Sequence, residues 1–399
     1  MTANQHSTDE TIRKTLHSVR TLLGMEVAFI SEFKDARRIF RYVDSAEGSV
    51  PSVCVGHSDP LEESYCQRVV DGRLPELIRD AQQVPEALTL PATTVVPVGA
   101  HLSVPIRFSD GHIYGTFCCF CTSPDATLND RDIRTIRLFA EVTGKLMEQQ
   151  IEESSIHQAI VDRLQDVLDA ERFTIVYQPI IHVAQHRIVG YEALTRFSAE
   201  PIRSPDLWFN EAAEVGLQES LELAVIRKAL QGLIHFPDGT CLSLNVSPST
   251  LLKGSLDAVL ASFPLERLML EVTEHVSVDD YSSISAALKP LRERGLKLAV
   301  DDAGAGYASF RHILKLQPDV IKLDVSLIRK IDSDTGCRAL AAALIRFAEE
   351  TGSKIVAEGV ETVAELHALR ELKVAKVQGY LLGCPALIDA LPSRPAWGA

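Results

Sequence analysis

The sequence predicts a TIM-like (α/β) barrel over its second half, preceded by a smaller α+β unit. Three observations carry this reading. The chain has 399 residues, more than one ordinary domain holds. Hydrophobic residues make up 46% of it and charged residues 24%, a balance that builds packed cores. After Ala170 the texture changes, and apolar strand-like runs alternate with amphipathic helical stretches nearly to the end.

In the front unit, placed at residues 1–150, Thr11–Leu23 reads as an entry helix. Val27–Phe33 and Arg38–Val43 alternate apolar and polar positions, as a hairpin does. Leu61–Val70 is helical in pattern, with Gly72 and Pro75 as its stop. Ala100–Phe108 and Ile113–Thr122 read as strands joined through Ser109-Asp110-Gly111-His112. Asn129 then caps a long helix. Its apolar stripe runs through Ile133, Ile136, Phe139, Val142, Leu146 and Met147, and continues through Ile151, Ile156, Ile160, Leu164 and Val167. This connector, at about residues 129–170, leads to the second unit at 155–395; the first half of its stripe reads equally as packing on its own unit or as part of the seat of a homodimer through the connector.

In the second unit the strand-like runs are Phe173–Pro179, Ile188–Ala193, Cys241–Val246, Leu268–Val272, Lys297–Val300, Val320–Leu323, Lys354–Ala357 and Lys376–Gln378. In an (α/β) barrel the chemistry sits at the C-terminal strand ends. Those ends carry Glu192, Asn245, Glu271, the pair Asp301-Asp302, Lys322, Glu358 and Gln378. A single acid there is an ordinary solvated loop residue. Oxygen ligands on four consecutive runs, with polar groups on three more, form a constellation. Carboxylate and amide oxygens without His or Cys select hard cations, Mg²⁺ or Mn²⁺. Adjacent Asp301 and Asp302 suit a two-metal site, where paired ions activate water and clamp a phosphate. Lys322 suits either orientation of that water or stabilisation of phosphate charge.

The formal charge of -14 excludes a long nucleic-acid groove, because phosphate neutralisation needs a basic face, so no DNA partner is expected. A small anion held through metal ions remains compatible with it. Met1–Glu10 lacks a basic start and apolar run, and no stretch reaches the roughly 18 apolar residues of a membrane span. The eight cysteines are mostly scattered, and Cys118 and Cys121 have no second C-x-x-C pair. Reduced thiols and a cytoplasmic location are the expectation.

Tyr191-Glu192-Ala193-Leu194-Thr195-Arg196-Phe197 resembles the signature of the EAL family of c-di-GMP phosphodiesterases. Further blocks in order are Tyr177-Gln178-Pro179, Leu244-Asn245-Val246-Ser247, Glu271-Val272-Thr273-Glu274, Asp301 to Tyr307, Ile321-Lys322-Leu323-Asp324, Ala357 to Glu361, and Gln378-Gly379-Tyr380-Leu381. The resemblance implies hydrolysis of c-di-GMP to linear pGpG with two Mg²⁺ or Mn²⁺ ions per site. It implies Glu192, Asn245, Glu271 and Asp301 as ligands of one metal, and Asp301 with Asp302 as the seat of the second. Lys322 and Glu358 are then the residues that hold and activate water. Gln178, Arg196 and Asp324 are implied substrate contacts, Gln378 supports the water or the substrate, and Glu274 anchors the glycine-rich loop after Asp302. Ala303 and Ala305 stand where Phe and Thr are common, Phe197 where Trp is common, and Cys384 where a basic residue is frequent. None of these removes a ligand. The alternative is a receptor that binds c-di-GMP without cleaving it. Such relatives typically lack metal or water-handling residues that this chain keeps. No GG(D/E)EF block is present, so synthesis of c-di-GMP is not expected.

The front unit resembles a GAF sensory domain through Leu23 to Phe29, Glu63-Ser64-Tyr65-Cys66, Leu102 to Ile106 and Tyr114-Gly115-Thr116-Phe117. The sequence names no input ligand. Cys66 reads as a packing residue or as a chromophore or redox site. Cys119 and Cys121 share a strand face that Cys118 does not, which argues against a metal site. His57 and His101 read as ordinary loop histidines.

Overall fold

Apolar alternation builds the front sheet. In the computed structural model, which describes residues 3–49, 53–273, 280–304 and 308–392, Val27–Lys34 (β1) and Arg37–Ser45 (β2) form a hairpin. Ser58–Pro60 (β3), Leu77–Ile78 (β4), Ala100–Arg107 (β5) and Ile113–Cys121 (β6) complete an antiparallel sheet of order β3-β2-β1-β6-β5-β4. Ile12, Leu16 and Val19 of α1 (Ala3–Leu22) pack on one face. The other face carries the short helices α2 (Tyr65–Val70), α3 (Pro85–Leu88) and α4 (Pro91–Val95). The expected helix over Leu61–Val70 is broken. Leu61–Glu63 is one 3₁₀ turn, and extended Ser64 restarts the chain by accepting a hydrogen bond from Gln67 N at 3.1 Å.

Asn129 caps α5 (Asp130–Asp169) as expected, its Oδ1 accepting from Arg131 N at 2.9 Å. Ile133, Ile136, Ala140 and Met147 bury its first half on the same sheet face as α1. The chain divides into two compact units, Met1–His157 and Gln158–Ala399. No described helix is long and apolar enough to cross a membrane.

Among the described residues of the second unit, eight strands close a barrel: Phe173–His182 (β7), Arg187–Phe197 (β8), Cys241–Asn245 (β9), Leu268–Thr273 (β10), Lys297–Ala303 (β11), Val320–Leu323 (β12), Lys354–Ala357 (β13) and Lys376–Val377 (β14). Neighbours from β8 to β14 run parallel, whereas β7 is antiparallel to both β8 and β14. Strands β7 and β8 are therefore a hairpin. Helices α6 (Pro205–Glu214) and α7 (Gln218–Gln231) follow β8, and α8 (Pro248–Lys253) and α9 (Ser255–Leu260) follow β9. Next come α10 (Tyr281–Glu293) after β10 and α11 (Ala308–Leu316) after β11. Helices α12 (Val325–Ile328) and α13 (Thr335–Thr351) follow β12, and α14 (Val363–Glu371) follows β13.

The strand pleat sorts the barrel's side chains. Leu242, Leu270, Val300 and Ile321 face the helices in the main core. Ile180, Met269, Ala299, Val320 and Val356 form a separate apolar cluster that fills the barrel interior. Two residues further along the parallel strands, and two residues back along antiparallel β7 at Gln178, the same inward parity reaches the polar layer.

Candidate active site

Inward parity takes β12 from Val320 to Lys322, β10 from Met269 to Glu271 and β11 from Ala299 to Asp301, and past the end of β13 it takes Val356 to Glu358. Apolar floor thus gives way to charge within one strand period. Lys322 is 0% exposed. Its Nζ lies 2.6 Å from Glu358 Oε1, 2.8 Å from Glu271 Oε2, 3.2 Å from Asp301 Oδ2 and 3.3 Å from Glu192 Oε2. Four carboxylates surround one ammonium.

Burial alone lowers the basicity of Lys322, but Asp301, Glu192, Glu271 and Glu358 outweigh it and hold the ammonium charged. Burial pushes the Glu271 carboxyl up to about 8, against the pull of Lys322 and with the push of Glu192 and Asp301. Burial likewise raises Glu358 well above the usual carboxylate range. One lysine leaves this cluster short of cation.

Two trios of acids bring ligand oxygens within 4.8 Å of one another among the described residues: Glu192, Glu271 and Asp301, and Asp301, Asp302 and Glu358. Asp301 belongs to both. Glu271 Oε1 is buried without a hydrogen-bond partner. An orphaned carboxylate oxygen at the centre of an all-oxygen donor set fits a divalent cation. Asn245, opposite Glu271 in register, donates Nδ2 to Glu192 Oε1 at 3.3 Å, leaving its carbonyl oxygen as the donor atom for a cation. Gln378 donates Nε2 to Glu192 Oε2 at 2.6 Å and to Gln178 Oε1 at 3.0 Å, and so fixes both side chains.

Neighbouring residues of a regular strand point to opposite faces, so Asp301 and Asp302 need a local device to share a site. The ladder from β11 to β12 slips between Val300 and Ala303, and Asp302 takes a left-handed φ of 57°. This bulge turns the second carboxylate back toward the first. Just after Glu358 the chain turns at Gly359, with φ 66°. A Cβ there would lie 2.2 Å from Val325 Cγ2, so the turn requires glycine.

Two cavities border this centre, and Leu194 lines both. One of about 350 Å³ is lined by Arg196, Asn245, Gln218 and Glu222, and one of about 370 Å³ by Gln178, Glu358, Arg329 and Tyr380. Arg196 is exposed at the first, its guanidinium held by Thr195 O at 2.8 Å. Asp324 lines neither cavity; its carboxylate caps α12, accepting from Ser326 N at 2.9 Å. Glu274, Ala305, Gly306 and Tyr307 lie outside the described residues.

Sequence reasoning missed Arg329 and Glu222. Glu222 on α7 is 6% exposed and accepts from Ser247 N and Oγ, both at 3.0 Å, and from Gln218 Nε2 at 3.0 Å. It fixes the turn that follows Asn245. Changing Glu222→Gln leaves one acceptor oxygen for Ser247 and sets an amide NH2 against the Gln218 Nε2 donor. A loss of about 1–3 kcal/mol in stability is expected, read as a lower melting midpoint. An unchanged midpoint would show that the turn holds itself.

An EAL domain family model matches residues 161–385, and a GAF domain model matches residues 5–148. The cyclic di-GMP phosphodiesterase PdeF of Escherichia coli is 31% identical over 246 residues, 58% of this chain and 32% of PdeF. NbdA, a cyclic di-GMP phosphodiesterase of Pseudomonas aeruginosa, is 33% identical over 245 residues, 58% of this chain and 31% of NbdA. The chain thus spans about a third of the length of these relatives. Among solved structures, the c-di-GMP complex of the PaMucR phosphodiesterase is 26% identical with a TM-score of 0.53, covering 59% of this chain and 100% of that one. The Bd1971 EAL enzyme, bound to cAMP and cyclic di-GMP, shares the fold at 18% identity and a TM-score of 0.56, over 92% of each chain. With the family model spanning more than half of its residues and the barrel built as described, the chain belongs to the EAL domain family and carries a GAF domain in front.

Proposed function

We propose that this chain hydrolyses c-di-GMP, opening one 3′–5′ phosphodiester bond to give linear pGpG, under the control of its front unit. The observation that carries the reading is the four-carboxylate cluster around Lys322, with an orphaned Glu271 oxygen and two cavities bordering it.

Glu192, Asn245, Glu271, Asp301 and Asp302 would hold two Mg²⁺ or Mn²⁺ ions, which would supply charge neutralisation at the phosphate and activation of water. Lys322 and Glu358, 2.6 Å apart, hold the attacking water in line with the phosphorus. The water oxygen joins the phosphorus, the bond to the 3′ oxygen breaks, and one water proton ends on that oxygen. Gln378 orients Glu192 and Gln178, and Gln178 and Arg196 hold the substrate in the two cavities that Leu194 lines.

Purified chain, supplied with Mg²⁺ or Mn²⁺ and c-di-GMP, is expected to release pGpG on chromatography. Tight binding without product under either metal selects the receptor reading instead. Arg196→Ala is expected to raise KM for c-di-GMP by roughly tenfold or more with a smaller change in kcat, since a charge-assisted phosphate contact contributes about 1.5–3 kcal/mol. A change confined to kcat would move Arg196 out of the substrate-holding role.

The reading includes a cytoplasmic homodimer joined along α5, where Leu138, Val142, Ile151 and Ile156 are exposed. Light scattering of the full chain is expected to give twice the monomer mass, and Val142→Glu together with Ile156→Glu is expected to halve it. A monomeric wild-type chain would remove the dimer from the proposal.

A further inference from the structure

We propose that Cys66 and Cys118 in the front unit are a reactive thiol pair, which a hydroperoxide oxidises to a disulfide. Their sulfurs lie 3.4 Å apart across 52 residues of sequence, one on α2 and the other on β6, and both residues are 0% exposed. Disulfide formation closes that gap to about 2.05 Å.

The surroundings are unlike those of a packing cysteine, which sits among apolar groups. Arg38, only 6% exposed, donates Nη1 to Cys66 Sγ at 3.2 Å and is itself held by Asp59 through Nε at 2.9 Å. Ser103 Oγ and Thr116 Oγ1 each lie 3.1 Å from Cys118 Sγ. Cys119 and Cys121 belong to the opposite face of the sheet and pack with the α1 side, so only Cys118 of the three strand cysteines can reach Cys66.

These contacts divide the roles. Burial opposes ionisation of Cys66, yet the hydrogen bond with Cys118 and the charge of Arg38 overcome it and bring the thiol down to about 6. Burial, together with the Cys66 sulfur, pushes the Cys118 thiol well up. Cys66 is therefore the attacking thiolate and Cys118 the resolving thiol. A cavity of about 30 Å³, room for a molecule of water size, is lined by Arg38, Tyr65 and His101; neither cysteine lines it, and Arg38 is the residue that joins it to Cys66.

The Cys66 thiolate attacks one peroxide oxygen and the O–O bond breaks. Cys66 becomes a sulfenic acid, and the departing hydroxide takes up a proton to leave as water. Cys118 then loses its proton and displaces the sulfenic oxygen as a second water while the S–S bond forms. Two electrons pass from the sulfurs to the peroxide. Arg38 loses its anionic sulfur partner, and α2 is tied to the central strand β6.

The test uses the full chain, reduced and freed of reductant, then treated with hydrogen peroxide. Free thiols are blocked with N-ethylmaleimide, and the digest is mapped by mass spectrometry. The expected result is a Cys66–Cys118 linked peptide pair that dithiothreitol reverses, with Cys119 and Cys121 still alkylated as thiols. In Cys118→Ser the crosslink is lost and dimedone captures Cys66 as its sulfenic acid, while Cys119→Ser crosslinks as wild type does. Cys66 labelling that is unchanged by peroxide, or a crosslink from Cys66 to any other cysteine, overturns the proposal. The wild-type map decides the matter even if Cys118→Ser fails to fold.

Discussion

Lys322→Ala is expected to abolish turnover while tightening the binding of divalent cations. Its ammonium sits inside four carboxylates at 2.6–3.3 Å and is fully buried. Removing it takes away a charge placed to stabilise phosphate and hold water, which costs on the order of 10³-fold in kcat. The same change removes a cation that competes with metal for the carboxylates. Metal affinity is therefore expected to rise by about tenfold or more, a gain of about 1.4 kcal/mol. Without metal, the variant leaves uncompensated buried charge and loses about 3–5 kcal/mol of stability. Melting in chelator is expected to fall and to recover when Mn²⁺ is added. Glu271→Gln supplies the contrast, because it loses turnover together with metal affinity. Lys322→Ala that turns over within about tenfold of wild type, or that binds Mn²⁺ more weakly, would defeat this account.

Much of this site was legible because parity in a strand is strict. Lys322 stands two residues past Val320, and Glu358 two past Val356, so an apolar inward position announces a polar one on the same face. The same rule hid the geometry of Asp302. Read as regular strand, Asp301 and Asp302 point apart. Only the bulge and the left-handed φ at Asp302 bring them together. Glu222 was hidden differently. A glutamate on an amphipathic helix reads as solvated, and the available signal was the unbroken flanking run Leu221, Leu223, Ala224, Val225 and Ile226.

The direction of β7 was also available in the sequence. Only the four residues 183–186 separate it from β8, whereas a parallel crossover needs about a dozen or more. The front unit was readable in its hairpins and its connector helix. Its short helices α3 and α4 were not, since each is a single turn begun by proline. Cys66 read chiefly as packing because its partners Arg38 and Cys118 come from distant strands, and no local pattern places them beside it.

The bulge at Asp302 allows charge and backbone conformation to be separated by three substitutions. Asp302→Gly relieves a left-handed φ that costs a non-glycine residue about 1–2 kcal/mol, so stability is expected to hold or rise. Asp302→Asn keeps a side chain that tolerates this conformation, so its stability stays near that of wild type. Asp302→Val forces a β-branched side chain into the same φ and is expected to lose about 1–3 kcal/mol. Turnover is expected to fall in all three by on the order of 10²-fold or more, because each removes the carboxylate that Asp301 and Glu358 share in the second trio. Melting midpoints therefore order the variants as Gly, Asn, Val, while activity does not follow that order. If Asp302→Asn retained near wild-type kcat with Mg²⁺, the second metal seat would not lie at Asp302. If activity tracked the melting midpoints instead, Asp302 would act through the backbone, and the bulge itself would be the catalytic requirement.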